Sequence, residues 1–380
     1  MKLKNIQDVK DLKGKKVLLR ATLNVPVKDN KILNDYRLRR SLETIKYLQE
    51  AGAKIIITGH IGRGTSHTLF PVYEYFKEHL SIFFVDEVIG EKVDIAISKI
   101  EDGKTLLLEN LRTHEGECNN EKEFAKKLAS YADIYVNDAF SVSHRKHASL
   151  VSVPEYLPSY AGYLLQKEIK ELSDALKPPT PALCILGGAK FETKEPLIEK
   201  LLNIYDKVFV SGALAHDFFR VRGFNIGKSL TSDTGVDIKA LIENDKIMIP
   251  TDVTVENGDE VFIKKPSEVS DRDNIADAGP DTVKHLEKII GDFKFVLWNG
   301  PLGEYERGFI KPTEALAYAL TKSSAKTVIG GGDTSASIAH LNIEDKFSFV
   351  STGGGAMLRF LLDGTLIGIE ALKNSNPSID

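Results

Sequence analysis

The most constraining feature of this chain is one alternation, repeated from end to end. A short apolar, largely β-branched run is followed by a polar or glycine-rich turn and then by a stretch of helical period. The runs predict strands at Val17–Leu19, Ile55–Thr58, Phe83–Val85, Leu106–Leu108 and Ile134–Val136. A second series is expected at Leu183–Leu186, Val208–Val210, Ile247–Ile249, Phe295–Leu297, Val328–Ile329 and Phe347–Val350. Between them lie segments such as SLETIKYLQEAGAK (41–54), whose apolar positions recur at helical spacing. Apolar runs alternating with amphipathic helices specify parallel sheets covered on both faces. So many strands would strain one twisted sheet, and 380 residues exceed one ordinary core. The expected fold is therefore α/β, with two doubly wound, Rossmann-like parallel-sheet domains.

The division is expected between the two series. The polar helical stretch LLQKEIKELSDALK (164–177) runs into Pro178 and Pro179, a pair that stops a helix and stiffens its exit. We place a connecting hinge helix at 166–178, an N-terminal domain at 1–165 and a C-terminal domain at 179–359. The tail from about 360 to 380 is expected to pack back on the first domain.

Composition enters mainly by exclusion. Lys+Arg 50 against Asp+Glu 54 leaves a net charge of −4, so no global field draws nucleic acid or an anionic membrane. The apolar runs are far shorter than the ~20 residues of a membrane span. MKLKNIQDVKDLKGKK has no apolar export segment, and Cys118 and Cys184 have no metal or redox spacing. The expectation is a cytoplasmic protein with two free thiols.

In open parallel sheets, ligands bind beyond the carboxyl ends of the strands. The first series is followed there by Arg20 and Asn24, His60 and Arg63, Asn110 and Arg112, then Asn137, Asp138, His144 and Arg145, with Arg37 between the first two strands. The second is followed by LGGAK (186–190), SGA (211–213), PTD (250–252), WNGP (298–301), GGGDT (330–334) and STGGG (351–355). One half offers cationic side chains and the other bare backbone. Guanidinium forks match carboxylate and phosphate, so the first half suits a small, multiply charged acid. Glycines opening helices let N–H groups approach phosphate at the positive end of the helix dipole, so the second suits a nucleotide. Lys190 and Lys194 share a helix face at i, i+4, and Asp333 is a candidate Mg²⁺ carboxylate. A lone arginine at a strand end is an ordinary surface ion pair, and a lone GGG an ordinary turn. The agreement of so many ends, half by half, carries the argument. HRKH (144–147) has metal-like spacing without further ligands, and GFNIGKS (223–229) is one residue short of a phosphate loop and follows a helix. The residues thus point to phosphoryl transfer between an acidic metabolite and a nucleotide.

LLRATLNVP (18–26), GHIGR (59–63), LLLENLR (106–112), VNDAFSVSHRKHAS (136–149), LGGAKFETK (186–194), GKSL (227–230), DAGPDT (277–282), WNGPLGEYE (298–306), GGGDT (330–334) and STGGGA (351–356) occur in this order. Together they resemble phosphoglycerate kinase over nearly the whole chain. The resemblance implies reversible, Mg²⁺-dependent transfer of the phosphoryl of 1,3-bisphosphoglycerate to ADP, giving 3-phosphoglycerate and ATP in glycolysis. It also implies a monomer that closes by hinge bending. Thr22, Asn24, Arg37, His60, Arg63, Arg112, His144 and Arg145 would bind the phosphoglycerate. Gly188, Ala189, Lys190, Lys194, Gly212, Ala213, Gly279, Asn299, Pro301, Glu306, Gly331, Gly332, Asp333, Thr334, Gly353 and Gly354 would bind ADP or ATP, with Asp333 serving Mg²⁺. Arg37, Lys190, Gly332 and Gly355 would be catalytic.

The sequence departs from the family pattern at Thr22 (usually aspartate), Gly64 (proline), Ser141 and Val142 (glycine–threonine), Thr193 (aspartate), Ala213 (glycine) and Arg359 (glutamate). These differences support a second reading, a catalytically weakened nucleotide-binding relative. Retention of Arg37, Lys190, Lys194 and Asp333 favours the enzyme, because a pure binder needs no transition-state charges.

Overall fold

The computed structural model describes residues 3–64, 66–188, 194–231 and 239–375. The chain divides into two compact units, Met1–Lys170 with Thr365–Asp380, and Glu171–Gly364. The boundary falls inside the helix Tyr163–Ala175.

The first unit is built on β1 (Lys16–Arg20), β4 (Lys54–Thr58), β5 (Ile82–Val85), β6 (Thr105–Leu108), β7 (Ile134–Asn137) and β8 (Ser159–Ala161); a small hairpin of β2 (Val27–Lys28) and β3 (Lys31–Ile32) follows β1. The six larger strands pair in parallel in the order β5-β6-β4-β1-β7-β8. Their interior is apolar because both faces are covered: Val17, Leu19, Ile55, Ile57, Leu107 and Val136 belong to one buried cluster. The helix Tyr36–Glu50 buries Leu38, Ser41, Thr44, Ile45 and Leu48, one stripe at helical spacing. Register aligns the carboxyl ends, with Arg20 beside Thr58 on one side and Asn137 on the other. The loops carrying Asn24, His60 and Arg145 therefore leave the sheet side by side. The chain moves outward from β1 through β4 and returns to its other side with β7, so this is also where strand order reverses. The last helix, Ile367–Lys373, packs on this unit, with the Gly368 N–H donating to the Ser143 carbonyl at 2.8 Å.

The second unit repeats the plan with β9 (Ala182–Leu186), β10 (Lys207–Val210), β11 (Ile247–Met248), β15 (Phe295–Asn299), β16 (Lys326–Gly330) and β17 (Phe349–Val350), parallel and ordered β11-β10-β9-β15-β16-β17. Its reversal lies between β9 and β15, where Leu186 pairs with Asn299. The two parallel sheets are those the alternation specifies.

Two features depart from the sequence reading. Three-residue β8 follows Pro158 and is too short to show a period. A separate antiparallel sheet, β13-β12-β14, is made by β12 (Val253–Asn257), β13 (Glu260–Lys264) and β14 (Asn274–Ala278). Its strands mix buried and exposed positions and end in polar residues, and β13 exposes Val261, Phe262 and Ile263, so they lack the pattern of strands buried on both faces.

Candidate active site

In the first unit a cavity of about 640 Å³ is lined by Asn24, Arg37, Ile61, Gly62 and Arg63 among others. The Arg37 guanidinium donates to the Asn24 carbonyl at 2.7 Å, and Asn24 Oδ1 accepts the Gly62 N–H at 3.0 Å. The Gly62 carbonyl accepts from Arg112, which ties the cavity to a second group of basic side chains. That group contains Arg20, His60, Arg112, Arg145 and His147, mutually close enough to depress the basicity of His60. Burial is the larger cause, followed by the surrounding positive charge, and together they hold His60 neutral well below its usual pKa. Arg20 is always protonated, so its 3.2 Å contact with His60 Nδ1 makes that nitrogen the acceptor. The remaining proton sits on Nε2, leaving the ring a donor. Burial also pushes His147 down to about 4, with Arg20, Arg112 and Arg145 adding to the effect.

Arg20 was legible only as a strand-end residue. It is 1 % exposed, donates to Ser149 Oγ at 2.9 Å and is balanced by Glu117, which also accepts from Ser149. It orients the cluster from behind, whereas Arg63 and Arg145 are exposed. His144 is half-buried beside Arg145. Thr22 is 2 % exposed, and its hydroxyl donates to the Asp138 carbonyl at 3.0 Å. The hydroxyl is thus engaged within the protein, which the sequence could not show.

In the second unit a cavity of about 720 Å³ is lined by Gly188, Gly212, Ala213, Pro301, Glu306 and Asp333 of the expected residues. It forms where the β9 and β15 loops cross. Gly187 donates to the Asn299 carbonyl at 2.8 Å, and a Cβ on Gly187 would lie 2.0 Å from the Pro301 carbonyl oxygen. Only glycine permits that approach. The Thr334 hydroxyl donates to the Gly330 carbonyl at 2.8 Å and accepts the Gly300 N–H at 2.7 Å, while Asn299 Nδ2 donates to the Gly330 carbonyl at 3.0 Å. Thr334 and Asn299 are buried and brace the loops, with Gly331 close against both. Gly332 and Gly355 open the helices Gly332–Ile338 and Gly355–Asp363, are exposed, and have empty space where a Cβ would be. Gly353 donates to Ser351 Oγ and Gly354 caps the second helix. Lys194 is buried, donates to the Gly187 carbonyl and has its pKa lowered to about 8 by burial, with Asp333 opposing. Gly279 lies off this cavity: a Cβ there would strike the Asp252 carboxylate at 2.2 Å, and that carboxylate caps the next helix by accepting from Asp281 and Thr282. Ala189, Lys190 and Thr193 lie outside the described residues.

Several lining residues escaped the sequence reading: Lys228, Tyr305, Arg307 and Asp277. Lys228 belongs to the GKSL segment, Asp277 to DAGPDT and Tyr305 to WNGPLGEYE, so three of the four lay within motifs already noted. Asp277 is 3 % exposed; its Oδ1 accepts the Ala278 N–H at 2.8 Å, and its Oδ2 has no hydrogen-bond partner among the described residues. Burial, with Glu304 adding, raises its pKa to about 8, so it is mainly protonated at neutral pH.

The family model described as phosphoglycerate kinase matches residues 6–364. A relative from Fervidobacterium nodosum named phosphoglycerate kinase is 40% identical over 392 residues, covering 97% of this chain and 98% of its own. One of the same name from Dictyoglomus turgidum is 39% identical, covering 98% of this chain and 100% of its own. The solved phosphoglycerate kinase of Coxiella burnetii superposes with a TM-score of 0.82 at 34% identity, covering 98% of this chain and 99% of that one. That of Pyrococcus horikoshii OT3 gives 0.85 at 30%, covering 98% of each.

Proposed function

Because the chain belongs to the phosphoglycerate kinase family, we propose that it moves the acyl phosphoryl of 1,3-bisphosphoglycerate to ADP, reversibly, giving 3-phosphoglycerate and ATP. One observation carries the reading: the carboxyl ends of the two sheets carry opposite kinds of anion site. One is lined by guanidinium groups and the other by glycine backbone. An acid with both carboxylate and phosphate suits the first, and a polyphosphate chain suits the second.

In this reading Arg63 and Arg145 bind the acid directly, and His60 donates Nε2–H to it. Asn24, Arg112 and Arg20 hold those groups in place, with Thr22 and His144 completing the surroundings. Arg37 neutralises the transferring phosphoryl together with Lys190, while the N–H groups at Gly332 and Gly355 stabilise its equatorial oxygens. Phosphoryl transfer needs in-line positioning and charge neutralisation more than covalent chemistry, and these groups supply both. Gly188, Ala189, Gly212, Ala213, Pro301 and Glu306 hold the nucleoside part, while Gly279 shapes the neighbouring helix start against Asp252. Lys194, with the loops of Asn299, Gly331, Thr334, Gly353 and Gly354, frames the phosphates.

Asp333 fits Mg²⁺: it is an exposed carboxylate in the first turn of a helix, facing the cavity. A single carboxylate suits a cation held mainly by phosphate oxygens, and when bound that ion supplies charge neutralisation at the phosphates. A cytoplasmic location is part of the same proposal, supported by the two free thiols.

The test is a coupled assay of ADP release with 3-phosphoglycerate, ATP and Mg²⁺. Turnover should require all three. A folded protein that binds nucleotide without turnover would overturn the proposal and favour the non-catalytic reading.

A further inference from the structure

His216 borders the cavity of the second unit from the helix Ala213–Val221, which Gly212 opens. It is 4 % exposed. Its Nδ1 lies 2.8 Å from the Leu230 carbonyl, which can only accept, so Nδ1 carries a proton. Burial, opposed by that hydrogen bond and by Glu304, lowers the pKa of the ring below its ordinary value and keeps it uncharged at neutral pH. The second nitrogen, Nε2, therefore bears a lone pair. It sits at the tip of the side chain and has no hydrogen-bond partner among the described residues. A buried acceptor left this way costs free energy until water or a ligand satisfies it.

The surroundings indicate which part of a ligand it meets. Ala215, Phe219, Val253 and Ile275 belong to one buried apolar cluster and border the cavity, the first two on the same helix as His216. Gly188, Gly212 and Asp333 border it as well, offering bare backbone and a carboxylate suited to phosphate and its cation. His216 lies four residues along the helix from Gly212, a rise of about 6 Å. Polyphosphate at the glycines leaves the apolar end for the flat base.

Apolar walls hold any purine. They do not tell an amino group from an oxygen on C6 of the ring, whereas an obligate acceptor does. Adenine presents its N6 amino donor there, and hypoxanthine and guanine present the O6 acceptor. Facing O6, Nε2 would meet a second lone pair and both atoms would go unpaired. Asp277 is the other buried titratable side chain bordering this cavity, and its unpaired Oδ2 is closed off from solvent. Arg307 is exposed and engaged by Glu256 and Glu304.

We propose that His216 is a specificity-determining residue that reads the nucleobase, its Nε2 accepting the exocyclic amino group of adenine. This rests on the nucleotide reading of the cavity and adds the residue that selects the base.

Titration calorimetry of the full chain with ADP and with inosine diphosphate, which carries O6 in place of the amino group, measures the selection. ADP should bind roughly tenfold or more tightly than inosine diphosphate. His216→Phe keeps a flat ring without an acceptor and should bring the two Kd values within about twofold, chiefly by weakening ADP. His216→Gln, whose amide both accepts and donates, should retain ADP and bind inosine diphosphate better than the wild type does. A purely structural histidine would weaken both nucleotides alike. In nitrogen NMR of the wild type, ADP should shift the Nε2 resonance and inosine diphosphate should shift it much less. Equal affinity of the wild type for the two nucleotides would overturn the proposal. So would an undiminished preference in His216→Phe, or an Nε2 resonance indifferent to ADP. Failure of both nucleotides to bind would overturn the nucleotide reading itself, and the proposal with it.

Discussion

Asp277 makes the cavity of the second unit sensitive to pH in a way that can be measured as stability. Its carboxyl is 3 % exposed with Oδ2 unpaired, and burial raises its pKa from 3.8 to about 8. A raised carboxyl pKa means that the folded protein holds a proton the unfolded chain has already lost. This contribution favours folding below the unfolded value and is progressively lost as pH rises through the folded value. Between about pH 6 and pH 9 the unfolded aspartate gains roughly 4 kcal/mol from ionisation, and the folded one only about 1.4, leaving a loss of about 2–3 kcal/mol. Asp277→Asn is neutral and of the same shape, so it removes this dependence while other titrating groups, including Asp138 with its pKa raised to about 7, act equally in both proteins. Urea unfolding of wild type and Asp277→Asn at both pH values measures the difference. The wild type should lose about 2–3 kcal/mol more than the variant over this range. Parallel pH dependences would show that the carboxyl is hydrated or partnered in solution, and the argument from burial would fail.

Arg37→Ala should lower kcat by roughly 10²–10³-fold and change the KM for 3-phosphoglycerate much less, because the guanidinium acts on charge developed in the transition state. Steady-state kinetics showing a raised KM with kcat retained would make Arg37 a ground-state anchor instead. Thr22→Asp should shift kcat/KM for 3-phosphoglycerate by less than about tenfold, some 1.4 kcal/mol. The Thr22 hydroxyl is already engaged by the Asp138 carbonyl, so rescue of an inactive wild type by Thr22→Asp would sink this expectation. Gly279→Ala should lower the thermal midpoint more than it weakens ADP binding, since the added methyl strikes Asp252; calorimetry and titration separate the two effects. Burial and the neighbouring positive charges hold His60 well below its usual pKa, so its ring NMR signals should not titrate near 6.5.

Much of this molecule was legible because its signals are local. The apolar runs at 55–58 and 183–186 name their own conformation and burial, since a strand covered on both faces must be apolar throughout. Glycines placed just where helices begin, as at Gly332 and Gly355, signal bare backbone at the helix start, the geometry on which the proposed phosphate site rests. Arginines after one set of strands and glycines after the other likewise divided the chemistry between the halves. The antiparallel sheet was missed because its strands are half-exposed and polar at their ends, and no period survives that mixture.

Which distant residues meet is settled by the packing of the whole chain. Strand order brings Leu186 beside Asn299, so Gly187 must be bare against Pro301. The same folding turns Gly279 toward Asp252, commits the Thr334 hydroxyl to the Gly300 loop and sets Arg20 behind His60. Asp277 and Thr22 are ordinary letters in the sequence; one gains a shifted pKa and the other an internal bond only once their surroundings assemble. Conformational preference is written in a few neighbouring residues, whereas burial and hydrogen-bond partners come from segments brought together across the chain. The sequence therefore determined the kind of sheet and the kind of site. The packing decided which side chains face the ligand and which hold them there.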